Sequence, residues 1–326
     1  MSDASLQPDG PGRRALLWLR ETPIIALIVL LVALVALLEY LSPGIVNERW
    51  IGNTVKFAIP LAMLAACQTL TMYTGGIDLS AAAVATITGF VMATLVPHFG
   101  QGWGIFIALV PAVLIGLLNG FGVAICRVHP LIMTLGSGLI GIGCLQVYQR
   151  YTIATGSEVA PVLEWLGTGR TRSVPNALFL FVPFAAFVFF VQNRTGFGRM
   201  LYAAGANERA ARLSGLRPWQ LYFALYVLVA LIAGVTGLLY AGIIRTTSLS
   251  LADPLLLPSV AAAVIGGTSI FGGRGSYAGT IVGALILTVL GTLLTLLQMP
   301  EGARRIIFGG IILLVTAIYV RLTDNG

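Results

Sequence analysis

Charge is scarce in this chain of 326 residues: Asp, Glu, Lys and Arg make up only 10% of it, against about a quarter in soluble domains. That excludes a water-soluble fold, because apolar runs recur from Pro23 to Val320 and leave no polar exterior to cover them. Lysine occurs once, as Lys56, and histidine twice, as His98 and His129. The three cysteines, Cys67, Cys126 and Cys144, are an odd number without metal-like spacing. They predict no disulfide framework and read as small core residues. Catalytic signatures are also missing. A hydrolase needs nucleophile, base and orienting group together, and the sequence has neither HExxH nor GxSxG nor a pair of aspartates. His129, just before Pro130, reads as a loop or cap residue and not as a proton relay. The glycine-rich stretch from Gly266 to Gly275 lacks the lysine of a phosphate loop, so any ATP is handled by another chain, and no cofactor is expected.

What is present is apolar: 57% of residues are hydrophobic, and 39 Gly and 15 Pro sit inside the apolar runs, where membrane helices tolerate them for close packing and kinks. A spanning helix needs about 20 apolar residues. That rule places segments near 23–41, 51–73, 79–96, 103–125, 130–149, 175–191, 220–243, 255–271, 277–298 and 303–320. The expected fold is therefore all-α, a polytopic transmembrane bundle of about ten helices. Gly75-Gly76 and the run Gly266-Gly267, Gly272-Gly273 and Gly275 predict broken or re-entrant segments near 73–79 and 266–276. Run length and poor dyad alternation exclude a membrane β-barrel.

Basic residues set the topology. Arg13, Arg14 and Arg20 place residues 1–22 in the cytoplasm, and ten crossings return the tail 321–326 to the same side. Residues 23–320 then form one transmembrane domain. Inside fall Arg127, Arg321 and the dense loop 192–219 with Arg194, Arg199, Arg209, Arg212 and Arg217. Outside fall Arg49, Lys56, Arg150, Arg170, Arg172, Arg245, Arg304 and Arg305. The stretch Ala203 to Leu213 predicts a short amphipathic helix in the dense loop. A membrane subunit without a nucleotide site calls for an outside energy source, and Asn207, Glu208, Arg209 and Arg212 offer polar handles for docking it.

Asp78 is the carboxylate nearest to the membrane interior. Either Asp78 or Ser80 caps the helix after the glycine break, or Asp78 lines a watery path. Gln68, Thr71, Asn119, Thr134 and Gln146 are uncharged polar residues within apolar runs. They suit a neutral polyol along a path, or bond a neighbouring helix.

Four stretches carry a family resemblance. They are Gly75-Gly-Ile-Asp-Leu-Ser80, Leu131-Ile-Met-Thr-Leu-Gly136, the arginine-rich Gly198 to Gly215 and the glycine-rich Ala263 to Ser276. In this order they resemble the ribose-type permeases of bacterial ATP-binding-cassette sugar importers, over most of the chain from about residue 50. The resemblance implies a multi-pass permease subunit of the bacterial cytoplasmic (inner) membrane. Its implied partners are two cytoplasmic ATPases, a second permease (identical or related), and a periplasmic or lipid-anchored sugar-binding protein. It also implies that loop 192–219 couples to the ATPases, with Gly205, Asn207, Glu208, Arg209, Ala211, Arg212 and Gly215 at the contact. Gln68, Gly75, Gly76, Asp78, Asn119, Thr134, Gln146, Gly266 and Gly267 are the expected path or helix-break residues. Three departures stand out: Ala81-Ala82 where the family usually has Val-Gly, Ala206 for a common Gly, and Leu131 for a common Phe. The last bears on the lining of the path, so the sugar stays open.

Three rivals remain at the level of sequence. A branched-chain amino acid permease of the same type calls for more charge along the path. A secondary transporter calls for ionisable groups near the midplane, where only Asp78 is a candidate. A membrane enzyme calls for a catalytic set that is missing. Nucleic acid is not an expected partner, since the basic residues lie in short connections between membrane segments.

Overall fold

The computed structural model describes residues 23–152, 158–300, 302–311 and 313. The expected cytoplasmic segment 1–22, the tail 321–326 and the end of the last segment from 314 onward lie outside the described residues. The elements are α1 (Pro23–Leu41), α2 (Glu48–Met72), α3 (Ala81–Ala108), α4 (Val110–Ala124), α5 (Pro130–Thr152) and α6 (Pro161–Thr168). A small hairpin, β1 (Arg170–Thr171) and β2 (Val174–Pro175), leads to α7 (Ala177–Arg194), α8 (Gly196–Ala206) and α9 (Glu208–Leu213). Then come α10 (Pro218–Ile244), α11 (Asp253–Ile265), α12 (Tyr277–Leu296) and a helical stretch at 302–311.

Seven helical stretches among the described residues are long and apolar enough to cross a membrane, so the chain is a helical membrane bundle. One of them, Ala81–Ala124, has 44 residues, about 66 Å if straight and twice the hydrocarbon thickness. It does not run straight. Gly100 leaves the helical region at φ 74° and ψ 168° and folds the chain into a hairpin. A Cβ on Gly104 would lie about 3.1 Å from the Val96 backbone nitrogen. Both arms also lie along α10, where the Cβ position of Gly234 is within 3.3 Å of Ala112 on one arm and Thr88 on the other. The two arms, separated at Gly100, correspond to the expected pair of segments, 79–96 and 103–125.

The central helices are α2, whose apolar window is 83% buried, and α10, at 67%; α1 is 6% buried and packs on the outside against α12. Small residues let backbones meet. Gly237 on α10 lies against Ala85 on α3, and Gly279 and Gly283 on α12 lie against Gly266 and Ala262 at the end of α11, with no room for a side chain at any of these glycines. The spacing Gly279-x-x-x-Gly283 is the close-packing pattern of membrane helices.

Two expectations need correction. Of the cysteines, only Cys67 is in the core, while Cys126 and Cys144 are exposed, because they fall on the outer faces of the connection after α4 and of α5. The expected segment 255–271 has just 13 helical residues, about 20 Å, too short to cross. It is preceded by non-helical chain at 246–252 that enters the bundle, where Ala252 N–H donates to Thr86 Oγ1 at 3.0 Å. The helix ends at Gly266, and Gly267 turns with φ 87°.

Some of the charged residues lie together in the structure. Arg127, Arg212 and Arg217 line one cavity at one end of the bundle. Elsewhere Arg170 donates to the Arg49 carbonyl and to Asn53, and Arg245 pairs with Glu164 at 3.2 Å.

Candidate functional site

Between α2 and α3 the chain makes a compact turn, Tyr73 to Ser80. Helix α2 already has 25 residues, about 37 Å, so the turn follows a completed crossing and is no mid-membrane break. It is nevertheless buried, and its backbone polar groups need partners. Gln68 supplies two of them: its Nε2 donates to the Asp78 carbonyl at 2.8 Å, and the Asp78 N–H donates to its Oε1 at 3.2 Å. Thr134 on α5 supplies a third, accepting the Leu79 N–H at 3.0 Å. Asp78, 1% exposed, accepts from the Ser80 N–H at 2.8 Å and the Ser80 hydroxyl at 2.6 Å. The cap position of α3 is Ser80, whose own side chain makes no capping bond, and the Asp78 carboxylate caps the turn leading into the helix by accepting the Ser80 N–H. Asn119 on α4 completes the network by donating to Ser80 Oγ at 2.9 Å.

A second set of contacts joins this turn to two other glycine segments. Gly205 of α8 lies against the Tyr73 carbonyl with no room for a Cβ, and Gly273 N–H donates to that same carbonyl at 3.0 Å. Gly75, Gly272 and Gly273 all have positive φ, and a Cβ on Gly272 would meet Gly205 and Gly75 at 2.8 and 3.1 Å. Three separate segments thus stack backbone on backbone. Tyr202 of α8 locks the stack. Its ring lies 4.4 Å from that of Tyr73, its hydroxyl donates to the Gly275 carbonyl at 2.9 Å, and it accepts from Gln192 Nε2 at 2.7 Å. Burial pushes the Tyr202 phenol up, so it stays a donor. The other end of the Gln192 amide accepts the Tyr277 N–H at 3.2 Å, which anchors α12 to the same junction.

The arginine-rich loop departs from expectation. In place of one helix over Ala203 to Leu213 there are two, α8 and α9, broken at Asn207, where φ is −162° and the side chain accepts the Ala210 N–H at 3.0 Å. Asparagine at a cap competes successfully with helix continuation. Glu208 and Arg212 pair across one turn of α9, and Glu208 also accepts from the Tyr222 hydroxyl at 3.2 Å, tying α9 to α10. Gly205 and Ala211, expected to face an ATPase, face the bundle instead: Gly205 is held by Tyr73, and Ala211 is 5% exposed. Asn207, Arg209, Arg212, Leu213 and Gly215 are among the outward positions of the loop.

Of the expected path or break residues, Gln68, Gly75, Gly76, Asp78, Asn119 and Thr134 come together at the turn, where the polar ones bond backbone or Ser80. Thr71 bonds its own helix at Cys67 O. Gly266 and Gly267 end α11, and Gln146 lies apart, exposed on α5. The sequence reading missed Tyr73, Gln192 and Tyr202. Their signal was present only as aromatic or amide residues next to glycine runs, and nothing local says that those runs meet.

The chain matches a family model described as "Branched-chain amino acid transport system / permease component" over residues 50–316. It is similar to the ribose import permease protein of Escherichia coli, 34% identical across 92% of this chain and 94% of that one. It is also similar to the galactofuranose transporter permease protein of Escherichia coli, 30% identical across 98% and 95%, and to a fructose import permease protein of Rhizobium meliloti, 30% identical across 79% and 74%. No solved structure matches the chain at a significant level. With seven apolar stretches of membrane-crossing length and a match over most of its length, the chain belongs to this family of membrane permease components.

Proposed function

We propose that the chain is the permease subunit of an ATP-binding-cassette importer that carries a monosaccharide or a related polyol into the bacterial cytoplasm. The relatives named for ribose, galactofuranose and fructose import support the solute class. ATP hydrolysis belongs to two partner ATPases, and a periplasmic or lipid-anchored binding protein delivers the sugar. The observation that carries the mechanism is the junction of Gly205 with Tyr73 and Gly273. An ATPase that moves α8 and α9 moves, through direct backbone contact, both the turn before α3 and the loop before α12. Loop 192–219 is then the cytoplasmic coupling element, and the outward Arg209 and Leu213 are its docking residues.

The path lies, on this reading, between two permeases at the open face of α5. Gly136 and Gly143 there meet nothing within 4 Å, and Gln146 is exposed beside Ile132 and Leu139 at heptad spacing. An uncovered glutamine on an apolar helix is costly in lipid, so a second permease suits that face. The one charge on α5 is Arg150 in its last turn, and the helix carries no carboxylate, which favours a neutral solute over a zwitterion.

The family description names branched-chain amino acids, so the deciding experiment compares solutes. The chain is reconstituted in proteoliposomes with its partner ATPase and a sugar-binding protein, and uptake of labelled pentoses, hexoses and leucine is measured with and without internal ATP. ATP-dependent sugar uptake is expected. Leucine uptake would replace the sugar reading, and uptake by the chain alone on a proton or sodium gradient would sink the importer reading.

A further inference from the structure

A cavity of about 560 Å3 opens at the end of the bundle that carries α8 and α9, within the size range of small-molecule sites. Its wall comes from the Tyr73–Ser80 turn, the connection between α4 and α5, helix α9 and the first turn of α10. Three guanidinium groups, Arg127, Arg212 and Arg217, and the imidazole of His129 stand against a single carboxylate, Glu208. That carboxylate is already engaged by Arg212 and by the Tyr222 hydroxyl. The side chains of Arg127 and Arg217 make no hydrogen bond or ion pair among the described residues.

The backbone adds to this positive field. Helices α5 and α10, of 23 and 27 residues, both begin at the cavity wall, at Pro130 and Pro218, so both present the positive ends of their dipoles there. The cap position of α10 is Arg217, which offers no side-chain oxygen to the first-turn N–H groups. Arg127 sits in the left-handed region at φ 55°, a place where glycine or asparagine is the low-cost residue. The chain instead keeps a guanidinium at the mouth of the cavity. Trp219, half exposed at the rim, gives the amphipathic edge typical of a membrane interface.

We infer that this cavity binds a phosphate ester, whose dianionic or monoanionic oxygens are held by Arg127 and Arg217 in forked hydrogen bonds, with Arg212 at the far wall. The shared chemistry is the phosphate group, and two sources supply it: the headgroup of an anionic phospholipid, or a small soluble phosphomonoester. Either would bridge α9, α10 and the turn at Thr74–Gly75, and so would hold the outer loop against the bundle. The assignment is independent of which solute the chain carries.

The test uses the full chain assembled with its ATPase partner in lipid nanodiscs. In one arm, phosphatidylcholine discs are titrated with inorganic phosphate and with ribose 5-phosphate, reading the tryptophan emission that a Trp219→Phe variant assigns to Trp219. In the other arm, discs containing phosphatidylglycerol are examined by native mass spectrometry for retained lipid. The expected result is saturable binding in one arm, weakened about tenfold or more in Arg127→Gln/Arg217→Gln, since each variant removes a charge-assisted hydrogen bond. Should the double variant fail to assemble, Arg217→Gln alone, which leaves the Arg127 backbone untouched, is read by the same titrations. Equal binding by wild type and variant in both arms overturns the inference. Binding to the lone chain that disappears on ATPase assembly also overturns it, by showing a protein contact in place of a ligand site.

Discussion

Gly205 of α8 lies directly on the carbonyl oxygen of Tyr73 at the end of α2, closer than any side chain permits. A loop that was expected to present this glycine to an ATPase therefore uses it to seat itself on the transmembrane bundle. The Gly205→Val variant should separate α8 from the turn before α3, at a cost of about 1–3 kcal/mol for overpacking. Membrane insertion should persist, while stimulated ATP hydrolysis and uptake both fall. Both activities at wild-type level in the purified variant would show that the contact plays no part in coupling.

Tyr202 holds the same junction by two hydrogen bonds and a ring contact. Tyr202→Phe keeps the ring and removes both bonds, each worth about 0.5–1.5 kcal/mol. Uptake should fall more than binding-protein-stimulated ATP hydrolysis, so the number of ATP molecules consumed per sugar should rise. A purely structural role predicts that the two rates drop together, with the ratio unchanged.

The cap role of Asp78 sets an order of variants. Asp78→Asn retains an oxygen for the Ser80 N–H and hydroxyl, whereas Asp78→Ala loses it, at about 0.5–2 kcal/mol. Thermal unfolding in detergent should rank wild type, then Asn, then Ala, and uptake should follow the same order. Asn and Ala variants that fold normally and are equally dead would point to an essential carboxylate charge.

Gln68 is paired to the Asp78 backbone in both directions. In Gln68→Leu the buried Asp78 N–H and carbonyl lose their partner together, at about 1–3 kcal/mol for each unsatisfied group. Gln68→Glu restores only the acceptor and should fall between. The midpoint of thermal unfolding is the measurement, and an unchanged midpoint in Gln68→Leu would remove the clamp from the account.

On the far side of α9, Leu213 is 86% exposed and Arg209 lies beside it on the surface. Leu213→Asp with Arg209→Ala should leave unfolding unchanged within about 0.5 kcal/mol, because surface substitutions away from buried features cost little. Co-purification of the ATPase should drop sharply. Undiminished ATPase recovery would move the docking surface elsewhere.

Much of the fold was legible in local pattern. Long apolar runs with few charges force α-helices in lipid, since each backbone polar group must find its partner within its own segment. Gly75-Gly76 and Gly266-Gly267 announced interruptions, and Asp78 with Ser80 announced a cap. Less legible was the length of α11, because an apolar run continues through residues 266–271, where the helix has already ended against α12. Asn207 was read as a docking handle, although its preference for a cap position would have divided the loop into α8 and α9.

Composition and periodicity by themselves determined that this chain lives in a membrane as helices, and where most of the long ones fall. These follow from transfer energies and backbone satisfaction, which act over a single segment. Only the tertiary structure decided which partners the buried amides and glycines have. Gln68 and Asp78 are ten residues apart, but Gly205 and Gly273 reach Tyr73 from more than a hundred residues away, and Thr134 reaches Leu79 from another helix. A glycine carries no sign of what will approach it. The small residue makes close contact possible, and the packing of the whole bundle selects which backbone arrives.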